Sequence, residues 1–267
     1  MEYLLTWDSL SIVAISVIAG FISVFSGFGV SIAMLPLLVL FFPMHIAIAF
    51  AAMLSIINNT YKLILFKPLV SRHILLLFGI PAAIMSVIGA KILLVIWQNN
   101  VIIDYEIFGH VFETKRLNLI IGILIICFTI VELLPRFKVF SPHKLATLLS
   151  GVISGFFGGI SGYQGGFQAA ILLKLNMPLR QFITTSGAIS MMIDVPRIIV
   201  YSSFFGDHIK DGYNTNIWPI ILITIVCTSI GTYMAYRYTE RVTAEVLKYL
   251  VMAFTFIIGI ALVFGKI

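Results

Sequence analysis

Residues 151–166 read GVISGFFGGISGYQGG, and seven of these sixteen residues are glycine. Glycine is less favourable than alanine in a helix by about 1 kcal/mol, yet apolar sequence lies on both sides of this cluster. Gly151, Gly155 and Gly159 follow one another at a spacing of four, which favours close packing against a neighbouring helix. Around 158–166 the glycine density exceeds what packing requires, so the stretch predicts an interrupted helix.

The composition indicates that most of this chain lies in a lipid bilayer. Of the 267 residues, 60% are hydrophobic and only 10% are charged, whereas soluble domains carry roughly 25% charged residues. We therefore expect a polytopic membrane protein. The net charge of +6 comes from scattered loop cations rather than a nucleic-acid-binding patch. The two cysteines lack metal-ligand spacing and there is no P-loop, so neither a cofactor nor a metal is predicted.

Ten hydrophobic segments follow one another along the chain. Eight are long or end in the glycine cluster, and two are about half as long. The long segments lie near 9–27, 45–66, 74–97, 117–134, 145–160, 181–204, 217–236 and 245–264, and the short ones near 29–42 and 163–175.

The order of the segments repeats, which indicates an internal duplication. Each half reads long, short, long, long, long. At an offset of 135 residues Pro43 falls on Pro178, Gly27 on Gly162, Ser55 on Ser190, Asn59 on Asp194 and Lys62 on Arg197. The predicted fold is all-α, with one repeat over 1–135 and the other over 136–267. The short segments are either half-helices or re-entrant hairpins. An odd number of crossings in each repeat predicts that the two are inverted.

The distribution of loop cations predicts the orientation. With each long-short pair counted as two crossings or as a hairpin, ten Lys and Arg residues fall on one side and four on the other. If each long-short pair of segments were one crossing, the excess of Lys and Arg on one side would nearly vanish. The positive-inside rule then places both termini outside. The expected location is the cell membrane, as a multi-pass protein of the bacterial inner membrane.

A break in the helix at the glycine cluster would leave backbone N–H groups unpaired at the start of the next short helix. Such groups, with the positive end of the helix dipole, favour anion binding. Broken helices at matching places of inverted repeats are typical of transporter substrate sites. The candidate residues of the second repeat are Ser161, Gly162, Tyr163, Gln164, Gly165 and Gly166, and those of the first are Gly27, Gly29 and Ser31.

The long segment after each short one supplies further polar candidates. Asn58 and Asn59 lie in the first repeat, and Thr185, Ser186, Asp194 and Arg197 lie in the second. Asp194 and Arg197 share a helix face and are expected to form an ion pair, with Arg197 as countercharge for the anion. Asp194 would balance that charge or carry a coupling proton. Lys62 is interpreted as an interfacial anchor.

The layout of the chain resembles the TauE/SafE family of membrane transporters, which export sulfite and other small sulfur-containing anions. The second half carries the family pattern well, with GVISGFFGGISGYQGG, Pro178 and TTSGAIS (184–190). In the first half GFISVFSGFGVSIAMLP (20–36) has fewer glycines, and AIAFAAMLS (47–55) has alanines where a Thr-Ser pair would stand. The resemblance implies secondary transport of a small anion near the glycine-rich elements and Thr185–Ser186, rather than an enzyme. The expected partners are that anion, the lipid bilayer and a coupling proton or sodium ion.

Two other classes of function remain open. The string GISG (159–162) fits the motif of rhomboid-like intramembrane serine proteases, with Ser161 as nucleophile, but all five histidines lie in loops or at segment ends. A non-catalytic membrane subunit would need no polar residues at membrane depth and leaves Gln164, Asp194 and Arg197 unexplained. The direction of transport and the oligomeric state are not predicted.

Overall fold

The structure is a computed structural model that describes residues 7–26, 29–67, 69–99, 101–107, 110–133, 143–175, 177–212, 217–238 and 245–266. The predicted boundary between the two repeats, at residues 135 and 136, lies outside the described residues, as does Gly27.

Each of the ten hydrophobic segments contains a helix. The first half contains α1 (Trp7–Ser26), α2 (Val30–Phe41), α3 (Met44–Phe66), α4 (Arg72–Ile74), α5 (Ile80–Gln98) and α6 (Arg116–Leu133), with a π-helical turn, Leu75–Gly79, joining α4 to α5. The second half contains α7 (Lys144–Ser161), α8 (Gly165–Leu172), a 3-10 turn (Leu173–Leu175), α9 (Leu179–Gly212), α10 (Ile217–Arg237) and α11 (Glu245–Val263). Within the described residues, five helices are long and apolar enough to cross a membrane, and shorter apolar helices accompany them. The all-α, polytopic fold class is confirmed.

One element departs from the predicted all-α fold. The polar segment between α5 and α6 forms an antiparallel β-hairpin from β1 (Ile102–Ile107) and β2 (His110–Lys115), in which Tyr105 pairs with Phe112. In β1, the polar residues Asp104 and Glu106 alternate with apolar or aromatic ones, with the two-residue period of a half-buried strand. The Phe112 ring packs on Phe264, and the Thr114 hydroxyl donates to the Leu262 carbonyl at 3.0 Å, so the hairpin rests on the end of α11.

The glycine stripe on α7 allows this helix to pack directly against the π-turn and α5. A Cβ atom at Gly151, Gly155 or Gly159 would overlap the carbonyl oxygen of Phe78, Ala82 or Ser86, respectively. The packing interpretation of Gly151 and Gly155 is confirmed, and it extends to Gly159. Successive glycines along α7 meet successive residues of the π-turn and α5 in the same chain order, so α7 and α5 run parallel.

The short helix α8 runs back along the path of α7. Gln164 donates to Asp194 at the start of α8, and Gln168 donates to the Ser186 carbonyl one turn later, so α8 is antiparallel to α9. The helix α9 is itself parallel to α5, because Ser71 contacts Thr185 while Gly79 contacts Met192. The helices α7 and α8 therefore form an antiparallel hairpin, and its re-entrant placement in the membrane stays a prediction.

In the first half α1 and α2 form the matching hairpin. The Ser31 hydroxyl donates to the Ala51 carbonyl at 3.0 Å, while Gly29 faces Ser55, so α2 is antiparallel to α3. The helix α1 instead runs parallel to α3, because Val24 near the end of α1 and Phe66 near the end of α3 belong to the same buried cluster.

The central helices of the two halves, α3 and α9, are antiparallel. Arg180 donates to the Lys67 carbonyl at 3.3 Å, and Gly187 faces Asn59. The hydroxyls of Ser190 and Ser55 both lie near Gly29. Around them α1 packs on α10, α5 on α7, and α6 on α11. The first helix of each half (α1 or α7) thus packs on the fourth hydrophobic segment of the other half (α10 or α5), and the last helices of the two halves pack on each other. An inverted duplication would produce this arrangement. The duplication itself stays a prediction.

Candidate functional site

The second hairpin is broken at a glycine whose backbone no other residue adopts easily. The helix α7 ends at Ser161, and Gly162 has φ 78° and ψ 4°, the left-handed conformation of a helix C-cap. A Cβ atom at Gly162 would also lie 2.8 Å from Nη1 of Arg197. Glycine is thus required both for the turn and for the room that the guanidinium occupies.

Arg197 lies at this break and is fully buried. Its Nη2 atom is 2.8 Å from Oδ1 of Asp194, which confirms the predicted ion pair on one face of α9. Nη1 donates to the Gly158 carbonyl at 2.7 Å, and Nη2 donates to the Ser31 hydroxyl at 3.2 Å. One guanidinium therefore connects α9, the end of α7 and the start of α2.

Several buried side-chain atoms beside Arg197 have no hydrogen-bond partner among the described residues. Gln164 donates from Nε2 to Oδ1 of Asp194 at 3.2 Å, and both side chains are fully buried. Within the part of the chain that the structure describes, the buried side-chain atoms without a hydrogen-bond partner are few. Three of them, Gln164 Oε1, Asp194 Oδ2 and Arg197 Nε, belong to this cluster. A buried polar group left unpaired costs about 1–3 kcal/mol, so these three atoms favour a bound water molecule or another polar species beside them.

The amides of the break are less exposed than the sequence suggested. The amide of Gly162 donates to the Gly158 carbonyl at 2.9 Å, that of Tyr163 to the Ser161 hydroxyl at 3.3 Å, and that of Gln164 to the Gly162 carbonyl at 3.1 Å. The prediction of bare amides is therefore wrong at these three residues. The amides of Gly165 and Gly166 remain candidates, because helix geometry gives the first turn of α8 no intrahelical acceptor.

Ser161 and Tyr163 serve the turn and the packing around it. The Ser161 hydroxyl donates to the Phe157 carbonyl at 3.0 Å. The Tyr163 ring stacks on Phe128 of α6, and its hydroxyl lies 3.4 Å from that of Thr129. None of the hydrogen bonds found for Ser161 among the described residues involves a histidine, so the geometry gives the protease hypothesis no support.

The first hairpin has a related break beside the central helices. Gly29 has φ 76°, and a Cβ atom there would lie 3.8 Å from the Ser55 hydroxyl and 4.0 Å from that of Ser190. Ser31, two residues later, accepts from Arg197. The structure thus brings residues of both breaks to the interface of α3 with α9.

Asn58 and Asn59 belong to a second polar cluster, farther along α3. Asn58 donates to the Thr232 hydroxyl at 2.6 Å, and Asn59 donates to the Ser55 hydroxyl at 3.1 Å. Lys62 is only 3% exposed, and its ammonium donates to the Ser23 carbonyl at 2.9 Å and to Oδ1 of Asn59 at 3.3 Å. The interpretation of Lys62 as an interfacial anchor is therefore wrong. It lies near the end of α3, but its side chain extends toward the end of α1 rather than toward the surface.

Thr185 and Ser186 lie away from the Arg197 cluster. The Thr185 hydroxyl accepts from the amide of Ser71 at 3.0 Å, and so holds the segment before α4. Twelve residues of helix separate Thr185 from Arg197, which corresponds to about 18 Å along the axis. A single small anion cannot contact both residues in this conformation.

Several residues of the site were not among the predicted ones. The Ser154 hydroxyl donates to the Gln164 carbonyl at 2.7 Å and fixes the turn, while the Tyr201 hydroxyl donates to the Gly159 carbonyl. Gln168 accepts from Ser190 at 3.3 Å. Their only signal in the sequence is that each is a hydrogen-bonding residue within an apolar segment.

Thr185→Val tests whether Thr185 is structural. We expect the free energy of unfolding to fall by about 1 kcal/mol, because the Ser71 amide loses its acceptor, and any stabilisation by a small oxyanion, measured with sulfite, to stay as in wild type. Thermal unfolding in detergent with and without sulfite measures both. A loss of sulfite-induced stabilisation without any loss of basal stability would instead place Thr185 in the anion site.

Comparison with known protein families gives a match over nearly the whole chain. The family model described as Sulfite exporter TauE/SafE matches residues 12–262. No curated protein and no solved structure matches the chain.

Proposed function

The chain belongs to the TauE/SafE sulfite exporter family, and on this basis we propose that it is a secondary transporter, working as an exporter, of a small anion such as sulfite or an organosulfonate. That it is a multi-pass membrane protein follows from the family and from its apolar helices. The proposed location is the cell membrane, the inner membrane of a bacterium, with both termini outside.

The observation that supports this function most is the unsatisfied polar cluster at the second break. Arg197 offers an unpaired Nε donor at the place where α8 begins with its first-turn amides. Both features favour an anion, since the dipole of a helix is positive at its N-terminus. Non-helical backbone at membrane depth is tolerated where protein encloses it, as it does here.

Asp194 gives the site a way to couple anion binding to a cation. While Asp194 is ionised it neutralises Arg197, which weakens the attraction of the guanidinium for a second anion. Protonation of Asp194, or a sodium ion between its free Oδ2 and the free Oε1 of Gln164, would release that attraction. The proposed transport cycle therefore couples the movement of the anion to that of a proton or a sodium ion.

Alternating access would use the two re-entrant hairpins. They meet at the α3–α9 interface through Arg197 of α9, which donates to Ser31 of the first hairpin and to the Gly158 carbonyl of the second. Movement of one hairpin relative to α3 and α9 would open the break to one side at a time. In this scheme the breaks are the hinges, and the stripes of close helix packing move as rigid bodies.

Transport of labelled sulfite into proteoliposomes tests the proposal. We expect an imposed sulfite gradient to drive saturable flux, and an imposed proton or sodium gradient to drive accumulation. Liposomes without protein provide the baseline. The absence of flux for sulfite, sulfonates and other small anions under every gradient would contradict a transport function.

A further inference from the structure

The buried charges of the described residues do not balance. Among them two cations, Lys62 and Arg197, and one carboxylate, Asp194, are buried. Arg197 is paired with Asp194, whereas the hydrogen bonds found for the Lys62 ammonium go to a carbonyl and an amide oxygen. Removing an ammonium from water costs several kcal/mol unless an opposite charge compensates. When Lys62 carries its proton, one positive charge remains for an occupant to neutralise.

Lys62 occupies the position in the first repeat that Arg197 occupies in the second. At the offset of 135 residues Ser23 falls on Gly158, Asn59 on Asp194 and Lys62 on Arg197. Lys62 donates to the Ser23 carbonyl and to Asn59, as Arg197 donates to the Gly158 carbonyl and to Asp194. The chemistry differs in one respect: the residue beside the cation is a neutral amide in the first repeat and a carboxylate in the second.

A line of hydroxyl groups joins the two clusters. Asn59, which accepts from Lys62, donates to the Ser55 hydroxyl. A Cβ atom at Gly29 would lie 3.8 Å from the Ser55 hydroxyl and 4.0 Å from the Ser190 hydroxyl. Ser31, next to this gap, accepts from Arg197. Polar groups therefore continue along the α3–α9 interface from one buried cation to the other.

We propose that Lys62 and Asn59 form a second contact site for the transported anion, so that the anion passes between Lys62 and Arg197 along the line of serines. The inference rests on the proposed transport function and adds a second site to it. Protonated Lys62 attracts a small oxyanion without neutralisation of a neighbouring carboxylate, because its neighbour Asn59 carries no charge. Arg197 does so only when Asp194 is neutralised, so the two sites differ in what they require to bind the anion.

Lys62 also has a structural role that the test must separate. Ser23 lies in the last turn of α1, whose carbonyls lack intrahelical donors, and a cation stabilises that end of a helix. A cap of this kind would affect stability alone. A transport role would affect anion flux in protein that remains folded.

Sulfite flux in proteoliposomes, with thermal unfolding as the check on folding, tests the second site. We expect Lys62→Gln to lower the initial flux about tenfold or more, while sulfite still raises the melting temperature through the Arg197 site. Lys144→Gln, the same change at an exposed lysine at the start of α7, should leave flux unchanged. Folded Lys62→Gln protein with the flux of Lys144→Gln would overturn the second site but leave the transport function intact.

Asn59→Asp keeps the test decisive if Lys62→Gln does not fold. The change is nearly isosteric and gives Lys62 an ionic partner, as Asp194 already is for Arg197. We expect folded protein with flux lowered about tenfold or more, because the new carboxylate repels the anion. Folded Asn59→Asp protein with wild-type flux would overturn the proposal. Wild-type protein without flux would instead contradict the function on which the proposal rests.

Discussion

Arg197→Gln is expected to abolish anion transport and to lower the free energy of unfolding by about 3–5 kcal/mol, since it leaves the carboxylate of Asp194 buried without its cation. The guanidinium also connects Gly158 to Ser31, so its loss separates α7 from the start of α2. Sulfite flux and thermal unfolding of the purified protein measure the two effects.

The double variant Asp194→Asn with Arg197→Gln separates stability from function. Removing both charges avoids an unpaired buried ion, so we expect most of the lost stability to return. Transport should stay absent, because the anion has lost its donor at the break. Wild-type flux in either variant would contradict the role of Arg197.

Gly155→Ala is expected to destabilise the fold by about 1–3 kcal/mol, and Gly155→Leu by more, because the added Cβ overlaps the carbonyl oxygen of Ala82. The obstacle is backbone, which cannot rotate away, so α7 must move from α5. Thermal unfolding in detergent measures the loss.

Gly187→Ala is the matched control for this substitution. Gly187 is also a buried helical glycine, but its added Cβ would meet its nearest atom at 3.6 Å, which is ordinary contact. We expect a change of about 1 kcal/mol at most, with a gain in helix propensity. Equal stability of the two alanine variants would show that α5 and α7 are not in close contact.

The sequence predicted the helices and the break well because both depend on local properties. Apolar length gives the segments, and the break needs a residue with positive φ, which Gly162 supplies. The ion pair of Asp194 with Arg197 follows from helical spacing alone. Each of these features depends on residues close together in the chain.

Features that depend on distant residues were not predicted. The burial of Lys62 results from the carbonyl of Ser23 lying within reach of its side chain, 39 residues away in sequence. Thr185 matched a family motif but contacts the segment before α4, because α9 lies beside α5. The β-hairpin depends on packing against α11, at the other end of the chain.

Locating a heavy-atom analogue of sulfite in the protein tests the central claim most directly. Selenite has the same shape and charge type, and its selenium is identified by anomalous scattering in crystals grown with selenite. We predict a selenium position within about 4 Å of the Arg197 guanidinium and of the first-turn amides of α8, absent from crystals of Arg197→Gln with Asp194→Asn. Selenium found only at the protein surface, in crystals of protein that transports selenite, would contradict it.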